Sequence, residues 1–105
     1  MQIIKIEVGE PPCLVELENT LEAFQGAVGG YVEVVTLPRT GLVVIVNEEW
    51  QLLDLPPNGR LNIGHLRGQT LAGPVLVARA DPKSGGFAGT RPCDLELIRT
   101  CWVQA

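Results

Sequence analysis

The amino-acid sequence predicts an α+β fold, with a single mainly antiparallel sheet of about five strands and one or two helices on one face. Several segments alternate between apolar and polar residues or are continuously apolar, as strands are, and two others place apolar residues at helical spacing. Their order along the chain is β-β-α-β-β-(β)-β-α. Because short turns join most of the predicted strands, antiparallel pairing is favoured over parallel pairing.

A first hairpin and a helix are predicted near the N-terminus. Residues 2–8 and 13–18 both alternate, and the glycine and prolines between them are typical of a turn. A helix is expected to begin at Asn19 or Thr20, because both residue types cap helix starts. It is expected to end at residues 29–30, which are both glycines, because glycine commonly follows the end of a helix.

A second hairpin is predicted at residues 31–37 and 42–46. The first of these segments is rich in β-branched residues, and the second is continuously apolar. A continuous apolar run is typical of a strand buried on both faces, so we expect this hairpin to form the middle of the sheet. We also expect a short additional strand at residues 50–55.

The second half of the chain is less regular. Residues 60–73 are weakly patterned and predict mostly loop, with one helical turn as an option, whereas residues 74–80 predict another strand. The glycine-rich residues 81–89 predict a flexible, exposed loop. A C-terminal helix is expected over residues 92–103, with Thr90 as its candidate cap.

Length and composition favour one domain spanning residues 1–105. With 46% apolar residues, a chain of this size can form a core that removes roughly 65% of its unfolded surface from water. It has no run of 18 apolar residues, so we expect no membrane contact. Because the first residues, MQIIK, do not resemble a signal peptide, we expect a cytoplasmic protein.

Charge is unevenly distributed along the chain. Two basic and nine acidic residues lie up to Leu55, and six basic and three acidic residues follow it. One interpretation is that glutamates cover the hydrated faces of strands; the other is a dipolar molecule that attracts partners of opposite charge, including its own copies. The net charge of −4 opposes binding to nucleic acid, which needs positive potential.

The chain lacks the residue combinations on which catalysis and metal binding depend. Its three cysteines include no C-x-x-C pair and its one histidine is His65, so we expect neither a disulfide framework nor a metal site. Its one serine, Ser84, is not part of a G-x-S-x-G motif. Because Glu48 and Glu49 are adjacent, their side chains would point in opposite directions from an extended segment. They would therefore not share one pocket as an acid–base pair. We therefore expect no catalytic residue, no cofactor and no enzymatic activity.

Polar residues at one end of the second hairpin are the first candidates for a binding site. If residues 31–37 and 42–46 pair about the turn between them, Asn47 returns to the neighbourhood of Tyr31. The candidates at this end of the sheet are Tyr31, Glu33, Asn47, Glu48 and Glu49, with Asn58 from a following loop. The alternative interpretation is that both asparagines satisfy backbone groups in turns and that the tyrosine is a rim residue.

Several motifs resemble those of a known family. They are GGYVEVV at residues 29–35, NTLEAF at residues 19–24, NEE at residues 47–49, LPPN at residues 55–58 and LAGPVLV at residues 71–77. In this order they are similar to a family of small proteins from phages, prophages and plasmids that is known only as a domain of unknown function. The resemblance covers about residues 1–80 and implies a mobile-element origin without a particular activity. It stops before the tail, where Arg91 and Arg99 stand in place of that family's acidic helix.

Two functional hypotheses follow. The first is a non-catalytic binding module of phage or mobile-element origin that blocks a host protein, such as a defence component. The alternative is a protein that sequesters a small anionic ligand, such as a nucleotide signal, with Arg60, His65 and Arg67 as its binding residues.

Self-association into a homo-oligomer is also expected. Trp50, Phe87 and Trp102 are large apolar side chains, and one small sheet offers limited cover for all three of them. A second copy of the chain would then cover what remains exposed.

Overall fold

The computed structural model describes residues 1–50 and 52–105, and these residues form an α+β fold. Its helices are α1 (Leu21–Val28) and α2 (Pro92–Cys101), and Gly64–Leu66 form a short 3₁₀ helix. The strands are β1 (Gln2–Ile6), β2 (Cys13–Glu16), β3 (Val32–Leu37), β4 (Leu42–Asn47), β5 (Pro57–Leu61), β6 (Leu71–Ala72), β7 (Val75–Ala80), β8 (Phe87–Ala88) and β9 (Trp102–Gln104). Neither helix is long and apolar enough to cross a membrane, as far as the chain is described.

The strands form two sheets. The main sheet has the order β2-β1-β7-β4-β3, with every neighbouring pair antiparallel, and β8 also pairs with β7. The small sheet has the order β6-β5-β9 and is antiparallel as well. The predicted α+β class and the mainly antiparallel sheet of about five strands are therefore confirmed.

Both faces of the main sheet are buried, because its central strands carry apolar side chains on both sides. Successive side chains of a strand point to opposite faces. Accordingly, Ile3 belongs to one apolar cluster, with Phe24 and Val28 of α1, whereas Ile4 belongs to another, with Ile98 of α2. The second cluster also includes apolar residues of β5, β6 and the 3₁₀ helix.

The two helices therefore lie on opposite faces of the main sheet, where the sequence led us to expect helices on one face. The reason is the composition of β4 and β7. All six residues of β4 and the first four of β7 are buried, so each face of these strands needs its own cover. α1 covers part of one face, and the small sheet with α2 covers the other.

The position of the second hairpin also differs from the expectation. β3 and β4 pair as predicted, in a continuous register from Val32 opposite Asn47 to Leu37 opposite Leu42. The pair does not form the middle of the sheet, because β7 inserts between β1 and β4 and leaves β3 at an edge. β7 is as apolar as β4, and a strand that is buried on both faces belongs in the interior of a sheet rather than at its edge.

The prediction of an additional strand at residues 50–55 is wrong for residue 50 and for residues 52–55. Gln51 lies outside the described residues. Turns occupy it instead, because the Leu52 and Leu53 amides both donate to the Glu49 carbonyl oxygen at 2.9 Å. In the weakly patterned residues 60–73, the 3₁₀ helix agrees with the helical turn considered there, whereas the end of β5 and β6 interrupt the expected loop.

α2 begins at Pro92, with Arg91 rather than Thr90 at the cap position, and it ends at Cys101 where β9 begins. The Asp94 carboxylate closes the first turn by accepting the Arg91 backbone N–H at 2.7 Å. It also accepts two hydrogen bonds from one nitrogen of Arg79, at 2.8 and 2.9 Å. This pair ties the start of α2 to the end of β7.

The three large aromatic residues are half-buried rather than left on the surface. Trp50 and Trp102 pack against the cluster under the small sheet, and Phe87 packs against the cluster under α1. The Phe87 ring meets the Phe24 ring edge to face, with 5.1 Å between centroids. Part of their cover therefore comes from within the fold, and self-association stays a prediction.

Candidate functional site

A groove of about 370 Å³ lies where α1 and β4 both end, and we call it the α1 groove. Its lining residues come from the last turn of α1, the entry to β3, the end of β4 and the turn that follows β4. They are Gln25, Gly29, Gly30, Tyr31, Asn47, Glu49 and Leu53.

Two glycines end α1 and form the floor of this groove. Gly29 has a left-handed backbone, with φ of 81°, which glycine adopts without steric strain. The amides of Gly29 and Gly30 both donate to the Gln25 carbonyl oxygen, at 2.9 and 3.0 Å. A side chain on Gly30 would lie 2.8 Å from the Asn47 side-chain nitrogen, so only glycine lets the backbone pass this close.

Asn47 holds the groove together from β4. Its side-chain nitrogen donates to the Val28 carbonyl oxygen at 3.2 Å, and its side-chain oxygen accepts the Glu49 amide at 2.8 Å. The residue is 2% exposed; its bond to the Val28 carbonyl oxygen is buried, and its bond to the Glu49 amide is partly buried. The Asn47 carboxamide thus connects the end of α1 to the start of the turn that carries Glu49.

The turn after β4 presents apolar side chains to solvent. Trp50 packs into the core and anchors the turn, and its amide donates to the Asn47 carbonyl oxygen at 3.2 Å. Leu52 is 81% exposed and Leu53 is 49% exposed. Across the groove, Tyr31 is 66% exposed. Large apolar side chains at one exposed place are unusual for a small soluble domain and favour a contact surface.

The electrostatics of the α1 groove favour a positively charged group. The C-terminal end of a helix carries a partial negative charge, and the last turn of α1 has no basic residue to offset it. The acidic residue Glu49 is among the lining residues of the same groove. The exposed ring of Tyr31 offers a π face, which attracts cations.

The structure brings together part of the site predicted from the sequence. Tyr31, Asn47 and Glu49 line the α1 groove. Glu48 flanks it, because its amide donates to the Tyr31 carbonyl oxygen at 2.7 Å. Glu33 lies further along β3, opposite Val46, and does not line the groove.

Sequence reasoning missed Gln25 and Leu53 as lining residues. No local signal marks them, because each reaches the groove only through the packing of its own element. The Gly29-Gly30 pair was identified as a helix end, and its close approach to Asn47 was not apparent from the sequence.

Asn58 lies elsewhere, 1% exposed within β5 of the small sheet. Its side-chain nitrogen donates to the Ile6 carbonyl oxygen at 2.8 Å and to the Gly73 carbonyl oxygen at 2.9 Å. These hydrogen bonds connect β5 of the small sheet to β1 and to the residue that follows β6. Asn58 therefore satisfies backbone carbonyl groups, as in the alternative interpretation.

Arg60, His65 and Arg67 are exposed and lie away from the α1 groove. His65 belongs to the 3₁₀ helix, whose first residue, Gly64, lies beside Pro38 in the β3–β4 turn. That turn is at the opposite end of β4, about 17 Å away for a six-residue strand. The structure thus separates the two sets of residues that the two functional hypotheses use.

A second cavity, of about 340 Å³, lies at the other end of α1. Its lining residues are Asn19, Thr20, Leu21, Phe24, Ser84, Gly86 and Phe87. The Asn19 side chain donates to the Phe87 carbonyl oxygen at 3.0 Å, which joins the helix start to β8. Its wall includes residues of the 81–89 segment, whose predicted flexibility stays a prediction.

Over residues 1–50 and 52–105, no three His, Cys, Asp or Glu side chains lie close enough together to hold a metal ion. Cys13, Cys93 and Cys101 are free thiols.

Fold and site together define a small α+β domain with an acidic groove beside exposed apolar side chains. The chain belongs to the family described as Domain of unknown function (DUF3846), whose pattern it matches over residues 1–100. No curated protein and no solved structure matches it.

Proposed function

We propose that this protein is a non-catalytic binding module that blocks a host protein by docking its α1 groove on a basic side chain of that partner. The observation that carries the proposal is the combination at the groove: a carboxylate, the negative end of α1, and exposed Tyr31 and Leu53. A lysine or arginine side chain has the complementary chemistry, with a cationic head and an apolar stem.

A contact at the α1 groove would gain affinity from apolar anchors and from charge. Protein interfaces concentrate binding energy in a few aromatic and apolar anchors surrounded by polar residues. Leu52 and Leu53 would lose contact with water on docking; full burial of Leu52 would contribute about 2 kcal/mol, and that of the already half-buried Leu53 about half as much. The Glu49 carboxylate would add direction and selectivity for a cation.

The proposed biological setting is a mobile genetic element, such as a phage or plasmid, and the proposed target is a host component such as a defence protein. The motif resemblance at residues 19–35, 47–58 and 71–77 supports this origin by association. Small non-enzymatic accessory proteins of mobile elements often act by binding and blocking a host component, and the α1 groove offers a surface for such a contact.

The proposal is tested by site-specific photocrosslinking in host bacteria. A photoreactive phenylalanine analogue replaces Tyr31 in one protein and Val103, on β9, in the control. We expect a discrete crosslinked host protein from position 31 and none from position 103. Absence of any crosslink from position 31 would contradict the proposal.

The partner identified in this way is then purified and its affinity measured with matched variants. Glu49→Gln is expected to weaken binding about tenfold, equal to about 1.4 kcal/mol, because it removes the charge that faces the cation. Glu96→Gln, an exposed glutamate on α2, is the control and should bind like the unmodified protein. Equal affinities for the two variants would overturn the role of the groove.

The anionic-ligand hypothesis makes a different prediction in a thermal-shift screen with nucleotides. A ligand that binds the folded chain raises its melting temperature. Under our proposal no nucleotide does so. A shift that Arg60→Ala or Arg67→Ala removes would favour ligand sequestration and count against the host-protein proposal.

A further inference from the structure

β3 is an open edge of the main sheet. It pairs with β4 on one side and has no strand on the other among the residues described. Edge strands expose backbone groups that can pair with another chain. Whether β3 can pair in this way depends on which of its backbone N–H and C=O groups point away from β4.

The hydrogen-bond register between β3 and β4 determines which backbone groups of β3 point away from β4. The Tyr31 carbonyl oxygen accepts the Glu48 amide at 2.7 Å, and these two residues are opposite each other by continuation of the β3–β4 register. In an antiparallel pair, bonded and non-bonded positions alternate. Positions 33, 35 and 37 therefore bond to β4, and the backbone groups of Val32, Val34 and Thr36 point outward. Within residues 1–50 and 52–105, no hydrogen bond to these outward groups is found.

Apart from the charged side chain of Glu33, β3 lacks the features that usually protect an edge strand. Its sequence, VEVVTL, contains no lysine or proline, and its register with β4 has no bulge. Val34, at its centre, is 44% exposed. The other edge of the sheet, β2, is shorter and follows Pro11 and Pro12. The Pro12 carbonyl oxygen is moreover occupied by the Arg99 side chain at 3.3 Å.

We propose that a second copy of this chain covers β3, with the two β3 strands antiparallel about a two-fold axis at Val34. In this register Val34 lies opposite its own copy, and Val32 lies opposite Thr36 of the other chain. All three outward-pointing positions of each strand are then paired, and each pair exchanges two backbone hydrogen bonds. The two main sheets become one continuous sheet.

The charge pattern of β3 selects this register over its neighbours. Glu33 is the charged residue of the strand, and the register centred on Val34 places it opposite Val35 of the other copy. A register centred on Glu33 would place two carboxylates directly opposite each other, which destabilises a strand pair. A register centred on Val35 would pair two outward positions instead of three. Hydrogen bonding and charge therefore favour the same arrangement, independently of the α1 groove.

The test is a charge exchange at position 34, followed by sedimentation of the full chain. The unmodified protein is expected to sediment at twice its 11.3 kDa chain mass. Val34→Lys and Val34→Glu, measured separately, are each expected to sediment at the single-chain mass, because like charges then face each other across the axis. An equal mixture of the two is expected to regain the doubled mass, because only opposite charges then meet.

Val103→Lys is the matched control. Val103 lies on β9, an edge strand of the small sheet, and is 38% exposed, close to the exposure of Val34. This variant should keep the doubled mass. Circular dichroism of the position 34 variants should match that of the unmodified protein, since their side chains face solvent.

Three outcomes would overturn the proposal. One is a single-chain mass for the unmodified protein at its highest soluble concentration. Another is a doubled mass that the position 34 variants retain. The third is a mixture of the Lys and Glu variants that stays at the single-chain mass, since position 34 would then not face itself. If β3 pairs instead with a strand of a different protein, the unmodified chain on its own would sediment at the single-chain mass, which is the first of these outcomes.

Discussion

The Asn47 side chain on β4 donates a hydrogen bond to the Val28 carbonyl oxygen at the end of α1, across 3.2 Å. Because Asn47 also accepts the Glu49 amide, one buried side chain connects a helix, a strand and a turn. The α1 groove lies at this junction. Its shape therefore depends on a residue whose own polar atoms are directed into the protein.

Replacing Asn47 by alanine is expected to destabilise the protein by about 2 kcal/mol, because a buried carbonyl oxygen and an amide lose their partner. Urea denaturation measures this change. Amide exchange at Gly29 and Gly30 should also accelerate as the end of α1 loosens. Asn62→Ala, an exposed asparagine, is the control and should change stability by less than about 0.5 kcal/mol. A similar loss in both variants would contradict the connecting role of Asn47.

Replacing Arg79 by methionine is expected to destabilise the fold by about 3 kcal/mol, because buried Asp94 loses its hydrogen-bonded cation and keeps only the more exposed Arg91 guanidinium at 3.8 Å. The Asp94 side chain is 5% exposed, and methionine keeps most of the apolar volume of arginine. Thermal or urea unfolding measures the effect. Arg60→Met, at an exposed position of β5, should have little effect. The double variant Arg79→Met with Asp94→Asn should recover part of the loss; no recovery would mean that the pair is not the cause.

Two glycines are expected to respond in opposite ways to alanine. A side chain on Gly59 would collide with the Trp102 ring and the Val103 carbonyl oxygen, so Gly59→Ala should cost about 2 kcal/mol. Gly26 lies inside α1 with open space around it, so Gly26→Ala should stabilise the protein by about 0.8 kcal/mol. Denaturation midpoints of the two variants should shift in opposite directions. A shift in the same direction would contradict the packing at one of these sites.

The Asp81 turn is expected to depend on pH. The Ser84 hydroxyl and the Lys83 amide donate to the Asp81 carboxylate at 2.8 and 3.0 Å, and these bonds lower the pKa of Asp81 below its ordinary value of 3.8. A lowered pKa in the folded state means that the ionised carboxylate stabilises the turn. That stabilisation is present above the ordinary value and is lost as the pH falls through the folded-state pKa.

Replacing Ser84 by alanine should therefore raise the pKa of Asp81 towards its ordinary value, as followed by carboxyl chemical shifts during a pH titration. Ser84→Thr keeps the hydroxyl and serves as the control. If the alanine variant titrates like the unmodified protein, the hydroxyl is not the main cause of the lowered pKa.

Local patterns predicted most of the elements. Hairpins β1–β2 and β3–β4 and helices α1 and α2 follow from alternation, helical spacing and turn residues that act within a few positions of the chain. The contact of Tyr31 with the end of β4 also follows, since the register of a hairpin is determined by its turn.

The remaining wall of the candidate site could not be predicted in this way. Gln25 reaches the α1 groove because α1 packs on β4, and Leu53 reaches it because the turn after β4 folds back instead of continuing as a strand. The positions of both residues depend on packing between elements, and no local sequence pattern predicts that packing. The same is true of Asn58, whose partners are Ile6 and Gly73.

The sequence by itself determined that this chain is an α+β domain with its turns at glycine and proline, because those preferences are properties of short segments. Only the tertiary structure decided that β7 enters between β1 and β4, that β3 becomes an open edge, and that the helices lie on opposite faces. The physical reason is that β4 and β7 are apolar on both sides. Which strands and helices cover those sides depends on how all the elements pack at once.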